Sequence, residues 1–138
     1  MPSLEIEQIT PQLTWRLRRD ELYPGEYLFN MEMAEDEQAM HYGGFVDNKL
    51  IAVVSLFKTG TEFQFRKLAV QKDMQGKGYG RVLLQFITDF VKAEGGTRIW
   101  CNARDTAIEF YAKAGFTPMG ETFERKGINF IIMEKSLL

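Results

Sequence analysis

The stretch Gln75-Gly76-Lys77-Gly78-Tyr79-Gly80 decides the fold of this chain. It follows a β-rich run at residues 62–70 and opens a long amphipathic segment at residues 80–94, so it predicts a strand–loop–helix unit. Three glycines at every second position allow a tight turn and a close approach of the backbone to a ligand. Amide N–H groups at a helix N-terminus attract anions, and Lys77 and Arg81 add positive charge. The stretch therefore predicts a phosphate-binding loop.

Two common nucleotide-binding loops do not match this stretch. The nucleoside-triphosphate loop needs Ser or Thr after Gly-Lys to hold magnesium, whereas Gly78 follows Lys77 here. The dinucleotide fingerprint needs a third glycine where Arg81 stands. The spacing therefore disfavours ATP and NAD as ligands.

The stretch does fit the pattern Gln/Arg-x-x-Gly-x-Gly/Ala, and on it the chain resembles the GNAT superfamily of acyl-CoA-dependent N-acyltransferases. Two further segments agree with that family in order and spacing: Arg66-Lys67-Leu68-Ala69-Val70 before the loop, and Asn102…Phe110-Tyr111…Gly115-Phe116 after it. The resemblance is firm from about Leu50 to Leu138 and looser before that. It implies acetyl-CoA as the co-substrate and an amine as the acceptor.

The resemblance also implies roles for individual residues. The loop amides from Gln75 to Arg81 would bind the pyrophosphate of the cofactor. The backbone of Leu68, Ala69 and Val70 would pair with pantetheine like an added strand, with the Val70 amide donating to the thioester oxygen. Asn102 would contact the pantetheine region. Tyr111 matches the family's frequent general acid, which protonates the leaving thiolate.

The general base stays open at this stage. Some relatives carry a glutamate where this chain has Gln64, which cannot accept a proton at neutral pH. Glu62, the solitary His41 and ordered water are the alternatives. Gln64 also supports a rival interpretation, a non-catalytic acyl-CoA-binding regulatory module. Cys101 lies inside a predicted strand, where a cysteine usually behaves as a small hydrophobe, so we expect direct transfer without an acyl-enzyme.

Composition limits the remaining possibilities. The 138 residues, 45% hydrophobic and 26% charged, predict a single domain spanning residues 1–138. The net charge of −2 argues against nucleic acid as a partner, and no apolar run approaches a membrane span. One cysteine and a start without a basic or apolar signal lead us to expect a cytoplasmic protein. No metal-ligand spacing is visible, and a homodimer is left open.

The order of predicted elements is β α β β β α β α β β. We expect an α+β fold with a mixed, largely antiparallel sheet and helices on both faces. The family resemblance adds a splayed parallel strand pair at the CoA site. Thr10 and Asp105 are expected to cap helices, and Leu13 and Leu17 to lie on one face of the first helix.

The most acidic stretch comprises Glu32, Glu35, Asp36 and Glu37. A solvated loop is the simpler interpretation, because charge clusters usually face water. The functional interpretation is a wall of the acceptor site that attracts a cationic amine. The family resemblance places acceptor specificity in Arg18, Tyr23, this stretch and residues 123–130.

Overall fold

A computed structural model describes residues 2–138 and contains the ten predicted elements in the predicted order. The strands are β1 (Glu5–Ile9), β2 (Met40–Val46), β3 (Lys49–Thr59), β4 (Glu62–Val70), β5 (Arg98–Arg104), β6 (Thr117–Arg125) and β7 (Ile128–Ser136). The helices are α1 (Trp15–Leu22), α2 (Tyr79–Ala93) and α3 (Ile108–Lys113). Short 3₁₀ turns occupy Pro11–Thr14, Leu28–Met31, Asp36–Gln38, Lys72–Met74 and Asp105–Ala107.

The chain divides into two compact units, and β4 and α2 contribute residues to both. The first unit comprises the residues up to Phe57 together with Arg66–Ile87. The second comprises Lys58–Phe65 and Thr88–Leu138. The prediction of a single domain over residues 1–138 stays a prediction.

The first unit is built on antiparallel strands. β1 pairs with β2, and β2 pairs with β3 through the predicted hairpin, in which Asp47 and Asn48 have φ of 49° and 65°. Two consecutive residues with positive φ are typical of the tight hairpin turn that matches strand twist. Leu17, Val53 and Ala69 form a buried apolar cluster, so α1, β3 and β4 share one core.

The second unit contains the parallel pair. The start of β4 pairs with β5 from Glu62–Arg98 to Gln64–Trp100, and β5, β7 and β6 follow in antiparallel pairing. Helix α2 ends at Ala93, and the predicted glycine stop follows it: Gly95 has φ of 79°, and the Gly96 amide donates to the Val91 carbonyl at 2.9 Å. This is the glycine C-cap that the Gly-Gly pair predicts.

Three local predictions were wrong. Thr10 makes no capping hydrogen bond, because the chain first forms the 3₁₀ turn Pro11–Thr14 and α1 begins only at Trp15. That shift leaves Leu13 51% exposed, while Leu17 is fully buried. Asp105 starts a 3₁₀ turn rather than capping α3.

The α+β fold class is confirmed. The described pairings are antiparallel except for β4 with β5, as the sequence predicts. Among residues 2–138, no helix is long and apolar enough to cross a membrane.

Candidate functional site

The glycine loop of the first unit is open at the positions where a ligand would approach. Gly76 and Gly78 have φ of 77° and 88°, a region that L-residues rarely adopt, and a Cβ at either would meet no atom within 4 Å. Helix α2 begins directly afterwards, with the Val82 amide donating to the Gly78 carbonyl at 3.1 Å. The first-turn amides at residues 79–81 therefore have no acceptor within the helix. This arrangement can bind an anion with backbone donors.

Side chains at the loop differ in what they can contribute. Lys77 and Arg81 are exposed, and a cation in the first turn of a helix is favourable only when an anion is bound there. Tyr79 is 5% exposed, and its hydroxyl donates to the Pro2 carbonyl at 2.9 Å. Tyr79 can therefore offer a ligand only its backbone amide.

The backbone N–H and the side chain of Gln75 both form hydrogen bonds within the protein. Its amide already donates to the Lys72 carbonyl at 3.3 Å. Its Nε2 donates to the Val70 carbonyl at 2.8 Å and to Glu21 Oε1 at 3.2 Å. Gln75 thus connects the loop to the end of β4.

The end of β4 departs from a regular strand at Lys67, whose φ is 59°. Lys67 Nζ donates to the Tyr23 hydroxyl and lies 4.6 Å from the Tyr23 ring centroid. Leu68, Ala69 and Val70 follow, with Ala69 buried in the core of the first unit. A left-handed lysine is a strained conformation that the alternating sequence does not reveal.

Tyr111 lies in α3 of the second unit among aromatic rings. Its ring centroid is 5.7 Å from Phe65, 5.1 Å from Phe110 and 6.1 Å from Phe116. Burial raises the pKa of the Tyr111 phenol well above its ordinary value, and the neighbouring Cys101 raises it further. The phenol is therefore protonated at neutral pH and can act only as a proton donor.

Two further residues of interest are neighbours on β5. Asn102 is half-buried and stands between Cys101 and Ala103, which are buried on the opposite face of the strand. Burial raises the pKa of the Cys101 thiol to about 12. Because the thiolate is the nucleophile, Cys101 is inert at neutral pH.

The two side chains considered as general bases, Glu62 and His41, are both engaged in hydrogen bonds with other residues. Glu62 accepts a hydrogen bond from Arg98 Nη1 at 2.8 Å, and Glu134 accepts one from Arg98 Nε. His41 is 2% exposed and uses both ring nitrogens, Nδ1 with Ser55 Oγ at 2.7 Å and Nε2 with the Asp36 carbonyl at 2.8 Å. His41 is thus a structural residue.

A buried polar network in the first unit was missed by the sequence analysis. Arg18 and Asp36, 1% and 3% exposed, form a two-pronged ion pair at 2.9 and 3.0 Å. Arg18 also donates to Ser55 Oγ at 2.8 Å and to the Met31 carbonyl at 2.9 Å. The Asp36 carbonyl can only accept, so His41 Nε2–H donates to it, while His41 Nδ1 forms a hydrogen bond with Ser55 Oγ.

The solvated-loop interpretation is therefore wrong for Asp36. Burial alone would raise the pKa of this carboxyl. Hydrogen bonds from Arg18 and the Met33 amide, together with the positive charge of Arg18, have a larger effect and hold the pKa below its ordinary value. The signal that could have revealed the network is Ser55, a lone polar residue in the apolar run 50–57.

The same acidic segment lines a cavity of about 210 Å³ at the start of α1. The lining residues are Pro11, Gln12, Trp15, Glu32, Met33, Ala34, Asp36 and Glu37. Glu32 and Glu37 are exposed carboxylates, whereas the charge of Asp36 is compensated by Arg18. The acidic segment therefore has one structural carboxylate and others available to solvent.

Comparison with known proteins identifies the class to which this fold and loop belong. Residues 22–137 match the family model described as an acetyltransferase (GNAT) domain. YitI of Bacillus subtilis, an uncharacterized N-acetyltransferase, is 29% identical over 144 aligned positions that cover 97% of each chain.

Solved structures agree with this assignment. A Lactobacillus plantarum protein assigned as an N-acetyltransferase has a TM-score of 0.87 at 20% identity, covering 99% of both chains. A GNAT family acetyltransferase from Elizabethkingia anophelis, with acetyl-CoA bound, has a TM-score of 0.77 at 16% identity, covering 96% of this chain and 97% of that one. The chain belongs to the GNAT acetyltransferase family. It is an acetyl-CoA-dependent N-acetyltransferase, as predicted.

Proposed function

We propose that the chain moves the acetyl group of acetyl-CoA directly to a primary amine of a small molecule or a protein. The observation that carries the cofactor site is the open glycine loop at the start of α2, with Gly76 and Gly78 in left-handed conformations. Backbone amides there would bind the pyrophosphate, with Lys77 and Arg81 adding charge. Leu68, Ala69 and Val70 would hold pantetheine through their backbone, and Asn102 would contact it.

In the reaction, the neutral amine attacks the thioester carbon, the C–N bond forms, and the C–S bond breaks. The leaving thiolate takes a proton, which we assign to the Tyr111 hydroxyl. The Tyr111 phenol is protonated at neutral pH, as this role requires, and after the transfer it would recover a proton from solvent. The Val70 amide would stabilise the oxygen that gains charge.

The state of Cys101 supports direct transfer. An acyl-enzyme would need a thiolate, and burial raises the pKa of this thiol to about 12. The amine proton would leave through water, because His41 and Glu62 are held in hydrogen bonds with other residues. The acetyl group therefore passes from sulfur to nitrogen in one ternary complex.

The acidic segment supports a cationic acceptor. Glu32 and Glu37 present exposed carboxylates at the cavity beside α1, and a protonated amine would be attracted to them before it loses its proton. A cytoplasmic location fits the single, buried Cys101. A homodimer stays a prediction, which analytical ultracentrifugation would test.

The test is a steady-state assay that follows CoA release with a thiol reagent over a panel of amines, diamines and peptides. Amine-dependent release by the wild type is expected, and Tyr111→Phe should lower kcat by about 10²-fold or more while leaving acetyl-CoA affinity unchanged. Tyr42→Phe, which removes the hydroxyl of a tyrosine outside the proposed site, is the control and should retain activity. An unchanged kcat in Tyr111→Phe would show that Tyr111 is not the general acid.

A further inference from the structure

The C-terminal end of α1 contacts both ends of the segment that runs from Lys67 to Gln75. This segment contains the proposed pantetheine strand and leads into the glycine loop. We infer that Glu21 and Tyr23 are positioning residues that hold this segment in the conformation that binds acetyl-CoA. The inference rests on the proposed function, because it takes the roles of β4 and the loop from there.

Glu21 holds the loop end of the segment with one carboxylate. Its Oε2 accepts from the Lys72 amide at 3.1 Å, and its Oε1 accepts from Gln75 Nε2 at 3.2 Å. The Lys72 contact fixes the start of the 3₁₀ turn Lys72–Met74. The Gln75 contact is relayed, since the same Nε2 donates to the Val70 carbonyl at 2.8 Å. Glu21 therefore fixes both the entry to the glycine loop and the end of β4.

Tyr23 holds the other end. It is the residue directly after α1, and it receives the Lys67 ammonium both on its hydroxyl and over its ring, at 4.6 Å from the centroid. Lys67 has φ of 59°, a left-handed conformation that is strained for a non-glycine residue. The next three residues are those whose backbone would pair with pantetheine. Anchoring the Lys67 side chain on Tyr23 offsets this strain and sets the direction of that backbone.

These contacts matter because the loop is rich in glycine, the residue with the greatest backbone freedom. Nothing lies within 4 Å of the Cβ positions of Gly76 and Gly78, so the loop is not packed on that side. A loop without such support loses more conformational entropy when it closes on a ligand. Glu21 and Tyr23 reduce that loss by fixing the residues on either side.

The first experiment measures acetyl-CoA affinity by isothermal titration calorimetry in wild type, Glu21→Ala, Gln75→Ala and the double variant. We expect each single variant to bind about tenfold more weakly, which is the size of a lost hydrogen bond to a charged group. The double variant should bind more weakly than either single variant but by less than the product of the two losses, because Glu21 and Gln75 share one hydrogen bond and each keeps a second contact of its own. Asp20→Ala, which removes an exposed neighbour on the same helix, should bind as wild type does.

The second experiment is a rescue. Tyr23→Ala should weaken acetyl-CoA binding, and adding Lys67→Gly should restore part of the affinity, since glycine adopts positive φ without strain. Wild-type affinity in Glu21→Ala, independent losses in the double variant, or a failed rescue would overturn the inference while the proposed function stands. Failure of the wild type itself to bind acetyl-CoA would instead contradict the proposed function.

Discussion

Replacing Arg18 by methionine tests how the first unit is held together. The guanidinium, 1% exposed, reaches both oxygens of Asp36 at 2.9 and 3.0 Å, Ser55 Oγ at 2.8 Å and the Met31 carbonyl at 2.9 Å. Methionine fills a similar volume but supplies none of these donors. In Arg18→Met the Asp36 carboxylate would stay buried without its cation.

The expected cost follows from that unpaired charge. Removing one partner of a buried ion pair destabilises a protein by about 3–5 kcal/mol, because the remaining ion keeps its desolvation penalty. For a chain of this size, that loss lowers the melting midpoint by about 10–15 °C. The double variant Arg18→Met/Asp36→Asn removes both charges. It should therefore cost clearly less than the sum of the two single variants.

The assay is urea unfolding followed by circular dichroism, with the melting midpoint as a second measure. Arg19→Met is the matched control, because Arg19 is 34% exposed and its pair with Asp20 should contribute less than about 1 kcal/mol. A stability loss in Arg18→Met no larger than in Arg19→Met would refute the reasoning. Strictly additive losses in the double variant would also refute it, since the two charges would then be independent.

Two further predictions concern single groups. Because the folded-state pKa of Asp36 lies below its ordinary value of 3.8, its stabilisation is present above that pH and is lost as the pH falls through the lowered value. Acid unfolding of Asp36→Asn should consequently begin from a lower stability and show a shallower decline below about pH 4 than wild type. Cys101→Ala should keep amine-dependent CoA release within about twofold of wild type, and iodoacetamide should leave the native enzyme active, as expected for a buried thiol with a pKa of about 12. Rapid inactivation by iodoacetamide with protection by acetyl-CoA would contradict direct transfer.

The elements that the sequence predicted well are those with strong local signals. The Asp47-Asn48 hairpin, the Gly95-Gly96 helix end and the glycine loop each depend on residues adjacent in sequence. Their backbone conformations are set by glycine freedom and turn chemistry, which a single sequence displays directly. These turns and helix ends mark where one element stops and the next begins, so they also give the order of strands and helices.

The features that were missed depend on contacts distant in sequence. Asp36 looks like one more carboxylate in an acidic loop, and only the folded chain brings it to Arg18, 18 residues away in sequence. Arg18 in turn donates to Ser55, from which it is separated by 37 residues. The left-handed Lys67 is hidden inside an alternating strand pattern, because its partner Tyr23 is 44 residues away. Gln75 was expected to use its amide, and its side-chain link to Glu21 spans 54 residues. Propensity and periodicity carry no information about such pairs.

The central claim is that the glycine loop binds the phosphates of acetyl-CoA. The most direct measurement is calorimetric titration of acetyl-CoA into wild type and Gly78→Glu, with Gly60→Glu as the control. Gly60 has φ of 63°, compared with 88° for Gly78, and a Cβ at either position would meet open space. Gly60→Glu therefore introduces a similar strain and the same charge outside the loop. We predict binding by wild type and Gly60→Glu and none by Gly78→Glu, whose carboxylate would occupy and repel the anion site. Equal acetyl-CoA affinity in Gly78→Glu and wild type would contradict the claim.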